Sequence, residues 1–418
     1  MKVIVLGAGV IGTTTAWFLA KSGHEVTVVE REAQAASETS YANGGQISVS
    51  HAEPWANPSA PKKLMQWLGR EDAPLLFRLR LDPAQWRWCA HFLSECRPSR
   101  TNRNIAQIVH LGLYSRATLQ ALRAETGIRY DHLEKGILHF YTSQQELDAA
   151  QAPAEVMRAH GCDLDMIGAD QVIAIEPALR HARPSIVGGS MTRADESGDA
   201  RKFTLALAEM CRNAGVAFKY STQALGFDRE GDRVTGVHLR RADGGYLTAS
   251  ADAYVLALGS YSAAMARPLG IDLLIYPAKG YSVTLPVERE DYATTTSLTD
   301  DEYKLVFSRL GDRLRIAGTA ELNGYNLELN PVRCAAILKR TLDLFPGVGR
   351  PEAAEYWTGL RPATPSNVPY IGRTKVKNLF LNTGHGTLGW THSCGSARAI
   401  ADIVSGRKPE VDFAFTGL

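Results

Sequence analysis

The 418-residue chain is 45% hydrophobic and 22% charged, with 37 glycines and 19 prolines; this exceeds the usual size of one hydrophobic core, so two domains and room for a large ligand are expected, and disorder is not. A formal net charge of +2 with no dominant basic field argues against nucleic acid as a partner. The six cysteines, Cys89, Cys96, Cys162, Cys211, Cys334 and Cys394, show no CxxC pair and no metal-site spacing, and read as reduced, mostly buried thiols.

The chain enters Val3-Ile4-Val5-Leu6, a β-branched run without polar alternation, as expected of a parallel strand buried on both faces. That run breaks at Gly7, too short and wrongly flanked for a secretory signal. No apolar stretch reaches the length of a membrane span, so the expected location is cytoplasmic. Gly7-Ala8-Gly9-Val10-Ile11-Gly12 supplies GxGxxG, and Ala16, Leu19 and Ala20 continue it in helical spacing. In such a turn the first glycine allows the tight bend, the second lets backbone approach a pyrophosphate and the third brings helix against strand, while the helix N-terminus presents amides to the anion. Gly23 ends the helix, Val26-Thr27-Val28-Val29 is the second strand, and Glu30 falls near the roughly 20-residue offset of a ribose-binding acid. Strand, turn, helix, strand and acid together predict a bound dinucleotide. Val3, Gly7, Ala8, Gly9, Val10, Ile11, Gly12, Glu30 and Arg31 are its candidate contacts.

Beyond Arg31 no further βαβ unit follows. The polar, small-residue stretch Ser40-Tyr41-Ala42-Asn43-Gly44-Gly45-Gln46 reads as a cofactor-wrapping loop, with Ser40, Asn43, Gly44, Gly45 and Gln46 reaching phosphate and flavin, which favours FAD over NAD. Residues 61–103 carry Lys62, Lys63, Arg70, Arg78, Arg80, Arg87, Arg97, Arg100 and Arg103 among Trp67, Trp86 and Trp88. That mixture suits a face on anionic lipid, the alternative being tryptophans packed inward beneath a solvated surface. Gly136 to Thr142, and Tyr276 to Pro286 continuing to Thr319, are strand-like and suit an antiparallel sheet over the flavin; Phe203 to Asn213 is helical and Val216 to Tyr220 a strand. Ala253 to Leu258 is a strand ending in small residues, making Ala257 and Gly259 close-approach candidates. Leu379 to Asn382 then leads into a second glycine-rich turn, whose Gly384, Gly386, Thr387, Leu388 and Gly389 open a helix able to stabilise negative charge on a reduced flavin.

These blocks, with Tyr276-Pro277-Ala278-Lys279-Gly280-Tyr281-Ser282 and Trp357-Thr358-Gly359-Leu360-Arg361-Pro362-Ala363-Thr364-Pro365, resemble in order and nearly end to end the bacterial D-amino acid dehydrogenases of small-subunit type, in the FAD-dependent D-amino acid oxidase superfamily. The resemblance implies an α/β plus α+β fold: a Rossmann-like FAD-binding domain from residues 1–50, 190–275 and 345–418, with an antiparallel-sheet substrate domain from 51–189 and 276–344 inserted. It implies adenine contact by the backbone near Ala224, a small D-amino acid as substrate, and a quinone or other electron acceptor met at the inner face of the membrane. Some relatives attach flavin through a cysteine close to the position filled here by Gly359, so FAD is expected to be non-covalent. The block Asp195-Glu196-Ser197-Gly198-Asp199-Ala200 departs from the usual form, in which a cysteine commonly follows the Gly-Asp pair. That puts exact substrate equivalence in question.

Oxidising an amino acid at Cα requires the C–H bond aimed at flavin N5, the carboxylate held away from it and the amine neutral. Arg361, in the Gly-Leu-Arg-Pro block where related oxidases keep their carboxylate-binding arginine, can grip a carboxylate with two parallel hydrogen bonds. Tyr281, Tyr303 and Tyr276 are candidates to close the pocket. His385, in the flavin turn, is preferred over His51 as a group titrating near neutrality. A flavoprotein acting on D-hydroxyproline, sarcosine or glycine, and a non-catalytic dinucleotide-binding protein, are the competing readings.

Overall fold

The computed structural model describes residues 1–417. A six-stranded sheet runs, edge to edge, Tyr370–Arg373, Leu379–Thr383, Ala253–Leu256, Lys2–Leu6, Glu25–Val29 and Ala217–Lys219. All neighbours are parallel except the first pair. The apolar run at the N-terminus is its interior strand. Period two sends Val3 and Val5 to one face, against Trp17, Leu19, Phe203 and Leu207 of the helices Val10–Lys21 and Ala200–Asn213. Ile4 and Leu6 go to the other, against Val237 and Leu239 of a three-stranded antiparallel sheet. Each such fully buried side chain contributes roughly 1.5–3 kcal/mol. Helix Gly389–Val404 packs on the first helix, with Thr14 Oγ1 donating to Ser393 O at 3.2 Å. The long helix Pro98–Thr126 lies on it in turn, Gly395 N donating to Ser115 Oγ at 3.0 Å.

A nine-stranded sheet holds Glu355–Ala363, Tyr276–Pro286, Arg313–Leu322, Leu305–Leu310, Ser297–Asp300, Ile137–Tyr141, Gly188–Thr192 and Asp165–Gly168 in that order, with Leu75–Phe77 paired beside Arg313–Leu322. Most pairs are antiparallel, but Ser297–Asp300 runs parallel to Ile137–Tyr141. Gly188–Thr192 and Glu355–Ala363 hydrogen-bond into this sheet, so its membership cuts across the division expected from sequence. One face packs on helix Pro331–Leu344 through Val283, Leu298, Phe307, Ile316 and Ile337. The opposite face lines a cavity.

Residues 61–103 fold into helices Ala60–Trp67 and Pro83–Glu95, the connecting strand Leu75–Phe77 and the start of the long helix. Trp88 is buried, its Nε1 donating to Ala363 O at 2.8 Å, so it cannot meet lipid, and Trp67 is half-buried against the cavity. Trp86 is exposed, and Met65, Leu68, Leu79, Leu81 and Leu93 are exposed with it.

Candidate active site

The Gly7–Gly12 turn adopts the shape its glycines were expected to allow. Gly7 has φ +103°, and a Cβ there would stand 2.6 Å from Ala257 O; one on Gly12 would stand 1.9 Å from Gly7 O. Gly9, at the helix N-terminus, would meet only Ser40 Oγ at 3.5 Å, so the space in front of its backbone is open. Val10 N donates to Ser40 Oγ at 3.0 Å, which places the wrapping loop at the amide cluster. Glu30 accepts from Ala8 N at 2.6 Å and Glu32 N at 2.9 Å, and burial raises its pKa. Each carboxylate oxygen keeps a lone pair for a hydroxyl donor. An open glycine cradle at a helix N-terminus with an acid beside it fits the pyrophosphate and ribose of FAD. Ala257 and Gly259 (φ +53°) adjoin the cradle, and Arg31 pairs with Glu38 and lies over the Tyr261 ring at 4.0 Å. Ala224 sits in the three-stranded sheet opposite Leu239. Val3 is a correction: its side chain is in the helix-facing core, a full strand length before the turn.

The cavity, about 680 Å³, is of the size that encloses small ligands. Its walls are the large sheet, the loop through Asn43, Gly44 and Gln46, and the second glycine turn at Gly386, Thr387 and Leu388. The loop is sewn to the sheet: Arg315 Nη1 donates to Asn43 O at 3.1 Å, and Gln46 Nε2 to Ser297 Oγ and Thr299 Oγ1 at 3.1 and 3.2 Å. A Cβ on Gly44 would stand 2.7 Å from Val306 Cγ2, so this backbone lies flat on the strand beneath. Gly45 is pinned by Asn43 Oδ1 at 2.8 Å. Gly384 and Gly386 have φ +80° and +55° and turn the chain into the helix beginning at Gly389.

Arg361 lies on the cavity wall with its guanidinium across Gly280, where a Cβ would stand 2.3 Å from Cζ. Nη1 donates to Thr319 O at 2.7 Å and Nη2 lies 3.5 Å from Gly318 O. Among the described residues no carboxylate comes within 4.0 Å. Burial, reinforced by Arg333, pulls its pKa down to about 10, and it stays charged. The carbonyl it holds comes from a bulge: pairing slips between Lys279 and Tyr281, and Thr319 takes φ +47°. A β-branched residue in that region costs on the order of 1–3 kcal/mol, a strain that gathers at functional sites. Thr319 Oγ1 and Ser282 Oγ are buried without partners.

Two expected pocket residues, Tyr303 and Tyr276, are elsewhere, and Tyr281 borders the cavity with its hydroxyl turned away from it. Tyr281 lies one residue from Gly280 and therefore points through the opposite face of the sheet, where its hydroxyl donates to Glu321, which also binds Lys279 Nζ at 3.0 Å. Tyr303 is 44% exposed under Arg340, whose guanidinium is 4.1 Å from the ring, and Tyr276 gives its hydroxyl to Asp82 at 3.2 Å. His385 is buried off the cavity wall; burial, with His392 adding to it, pulls its pKa well below 6.5, so it is neutral at pH 7. His51, set aside on sequence grounds, is on the wall instead. Its loop is held by the fully buried Asp195, which accepts from Val49 N and Ser50 N, both at 3.0 Å, from Ser50 Oγ at 2.7 Å and from Arg116 at 2.8 Å. The unusual Asp195 block thus positions the cavity loop. Its only advance signal was its departure from the expected pattern.

A family profile described as DAO, FAD dependent oxidoreductase, matches residues 2–403. The chain is 60% identical over 415 residues to the D-amino acid dehydrogenase of Dechloromonas aromatica (strain RCB), covering 99% of each sequence. It is 53% identical over 419 residues to the D-amino acid dehydrogenase of Paramagnetospirillum magneticum (strain ATCC 700264 / AMB-1), covering 100% of this chain and 98% of that one. Its fold matches the crystal structure of glycine oxidase from Geobacillus kaustophilus with a TM-score of 0.76 at 23% identity, over 100% of this chain and 98% of the other.

Proposed function

The chain belongs to the FAD dependent oxidoreductase family, and from that premise we propose that it oxidises D-amino acids at Cα, giving an imino acid that water hydrolyses to the 2-oxo acid and ammonia. The observation that carries this reading is Arg361: a buried guanidinium with no acid partner among the described residues, facing an enclosed cavity, is a carboxylate site waiting for its anion. FAD, when bound, accepts the Cα hydrogen with its electron pair. Arg361 holds the substrate carboxylate, the sheet at Gly280 leaves room for the guanidinium, and the loop at Asn43 to Gln46 with the turn at Gly386 to Leu388 encloses the reacting centre and excludes water. The Gly7–Gly12 cradle and Glu30 hold the dinucleotide. None of the six cysteines lies on the cavity wall, which supports non-covalent attachment.

The electron acceptor in this reading is a quinone-type carrier reached at a membrane surface. No helix among the described residues is long and apolar enough to cross a bilayer. Support for surface docking is the exposed set Leu79, Leu81 and Trp86, flanked by Arg78, Arg80 and Arg87. Anaerobic mixing of holoenzyme with D-alanine, L-alanine, D-hydroxyproline, sarcosine and glycine tests the reading: bleaching of the flavin by D-alanine, with slow return in air and fast return with a soluble quinone, is expected. Preferential reduction by L-alanine or sarcosine would overturn the substrate assignment, and rapid reoxidation by air the acceptor.

A further inference from the structure

Arg361 accounts for one end of an amino acid. The other end is an ammonium ion, which must shed a proton before its lone pair can assist loss of the Cα hydrogen, and no group described so far takes that proton. His51 stands on the cavity wall with no side-chain hydrogen bond among the described residues and with ring nitrogens that are not enclosed. Next to it, ring centroids 5.9 Å apart, is His139. Strand alternation in Ile137–Tyr141 sends Leu138 and Phe140 into the core and His139 to the cavity side, opposite Ser190 and Thr299. His139 donates Nδ1–H to Asp301 Oδ2 at 2.7 Å, and its Nε2 is buried with no partner. Leaving that atom unpaired costs on the order of 1–3 kcal/mol, which a histidine kept only for packing would not require.

Resting on the reading above, we propose that His51 takes the proton from the substrate ammonium, that His139, held by Asp301, is the positioning residue that fixes the His51 ring, and that the Asp301 carboxylate favours the imidazolium so formed. The ammonium N–H bond breaks and the proton bonds to a ring nitrogen of His51. The freed lone pair forms the C=N bond as the Cα–H bond breaks, its hydrogen and electron pair passing to FAD, and His51 returns the proton to water when product leaves. The surroundings keep His51 ready. Burial and the adjacent His139 pull its pKa to about 4, against the opposing pull of Asp301, so it meets substrate neutral. Lys304 and Arg361 depress it further; Tyr141 and Glu53 share the cavity, and Lys63 faces it already paired with Glu146 at 2.8 Å. A substrate carboxylate on Arg361 cancels one of the depressing charges, so binding the acid end strengthens the base for the amine end.

The test is kcat/KM for D-alanine against pH on the holoenzyme, native and variant. Native enzyme is expected to hold a plateau through neutrality. H51Q is expected to fall at least about 100-fold at pH 7, the lower range for a positioned general base. It then climbs tenfold per pH unit towards the native value, because alkali delivers the amine already neutral. Imidazole is expected to restore part of the activity of H51A, and D301N to lower kcat with little change in KM. Binding of benzoate, followed by perturbation of the flavin spectrum, should be unchanged in all three, since Arg361 is intact. A native profile that itself climbs tenfold per unit through neutrality overturns the proposal without any variant, as does a pH-independent loss in H51Q without imidazole rescue. Holoenzyme that no D-amino acid reduces overturns the underlying reading instead.

Discussion

A guanidinium that donates only to the Thr319 and Gly318 carbonyls keeps most of its five N–H groups for a ligand. Truncating it removes the grip and leaves the substrate carboxylate in a dry site, so R361A is expected to lose roughly 2–5 kcal/mol of transition-state binding, read from kcat/KM, with FAD retained. R361K is expected to recover part of that, lacking the fork. A subtler probe is G280A. Its Cβ would fall within 2.3–2.5 Å of the Arg361 guanidinium, the movable end of a long side chain, so the fold survives while the anchor shifts. A raised KM at nearly unchanged melting temperature is expected; an unchanged KM would place the carboxylate elsewhere. The place of Arg361 on the cavity wall was legible from sequence because its signal is local, a short block of fixed spacing. His51 was not, because nothing within reach along the chain reveals that Asp195, 144 positions on, pins its loop or that His139 lies beside it.

The strand-turn-helix unit was readable for the same reason: every part of Lys2–Leu6, Gly7–Gly12, Val10–Lys21 and Glu30 is contiguous. G12A would drive a methyl to 1.9 Å from Gly7 O, backbone that cannot step aside, so purified protein is expected to carry little FAD, measured as flavin absorbance per chain. Full occupancy in G12A would show that the cradle tolerates a wider turn. The large sheet shows where such reading stops. Alternation along Tyr276–Pro286 is visible in the residues, but which face meets the cavity depends on partners far away, and the bulge at Thr319 that feeds Arg361 is a register shift between two strands. Tyr281 was assigned to the pocket on residue type; it borders the cavity, but period two turns its hydroxyl to Glu321 on the other side.

Across the molecule three enclosed histidines make stability rise with pH, against the buried Glu30, Glu53, Asp195 and Asp300, whose raised pKa values act in the opposite sense. Burial pulls His51 and His392 to about 4 from 6.5 and His385 well below it. Between about 4 and 6.5 the unfolded chain binds protons that the native one refuses, so this contribution to stability rises with pH over that window and is level above it. The change in melting temperature from pH 4.5 to 6.5 is expected to be less positive in H392N than in native protein; a slope identical in both would remove His392 from the account. The exposed apolar set answers to a different solvent. L79D/L81D changes only side chains at the surface, and is expected to abolish co-sedimentation with anionic vesicles that native protein shows at low salt and loses at high salt. Native protein that stays in the supernatant at low salt would leave this face without a lipid role.

The order of the six-stranded sheet also has a consequence for how the protein comes into being. Lys2–Leu6 leaves the ribosome long before its neighbour Ala253–Leu256, and the next strand, Leu379–Thr383, follows after that. Helix Gly389–Val404, which covers the first helix, comes later still. The nascent glycine cradle must therefore wait, its apolar strand unpaired on one side until Ala253–Leu256 is out and its helix uncovered until Gly389–Val404 is out. The span before that closure is when the chain is most exposed to aggregation and to chaperones.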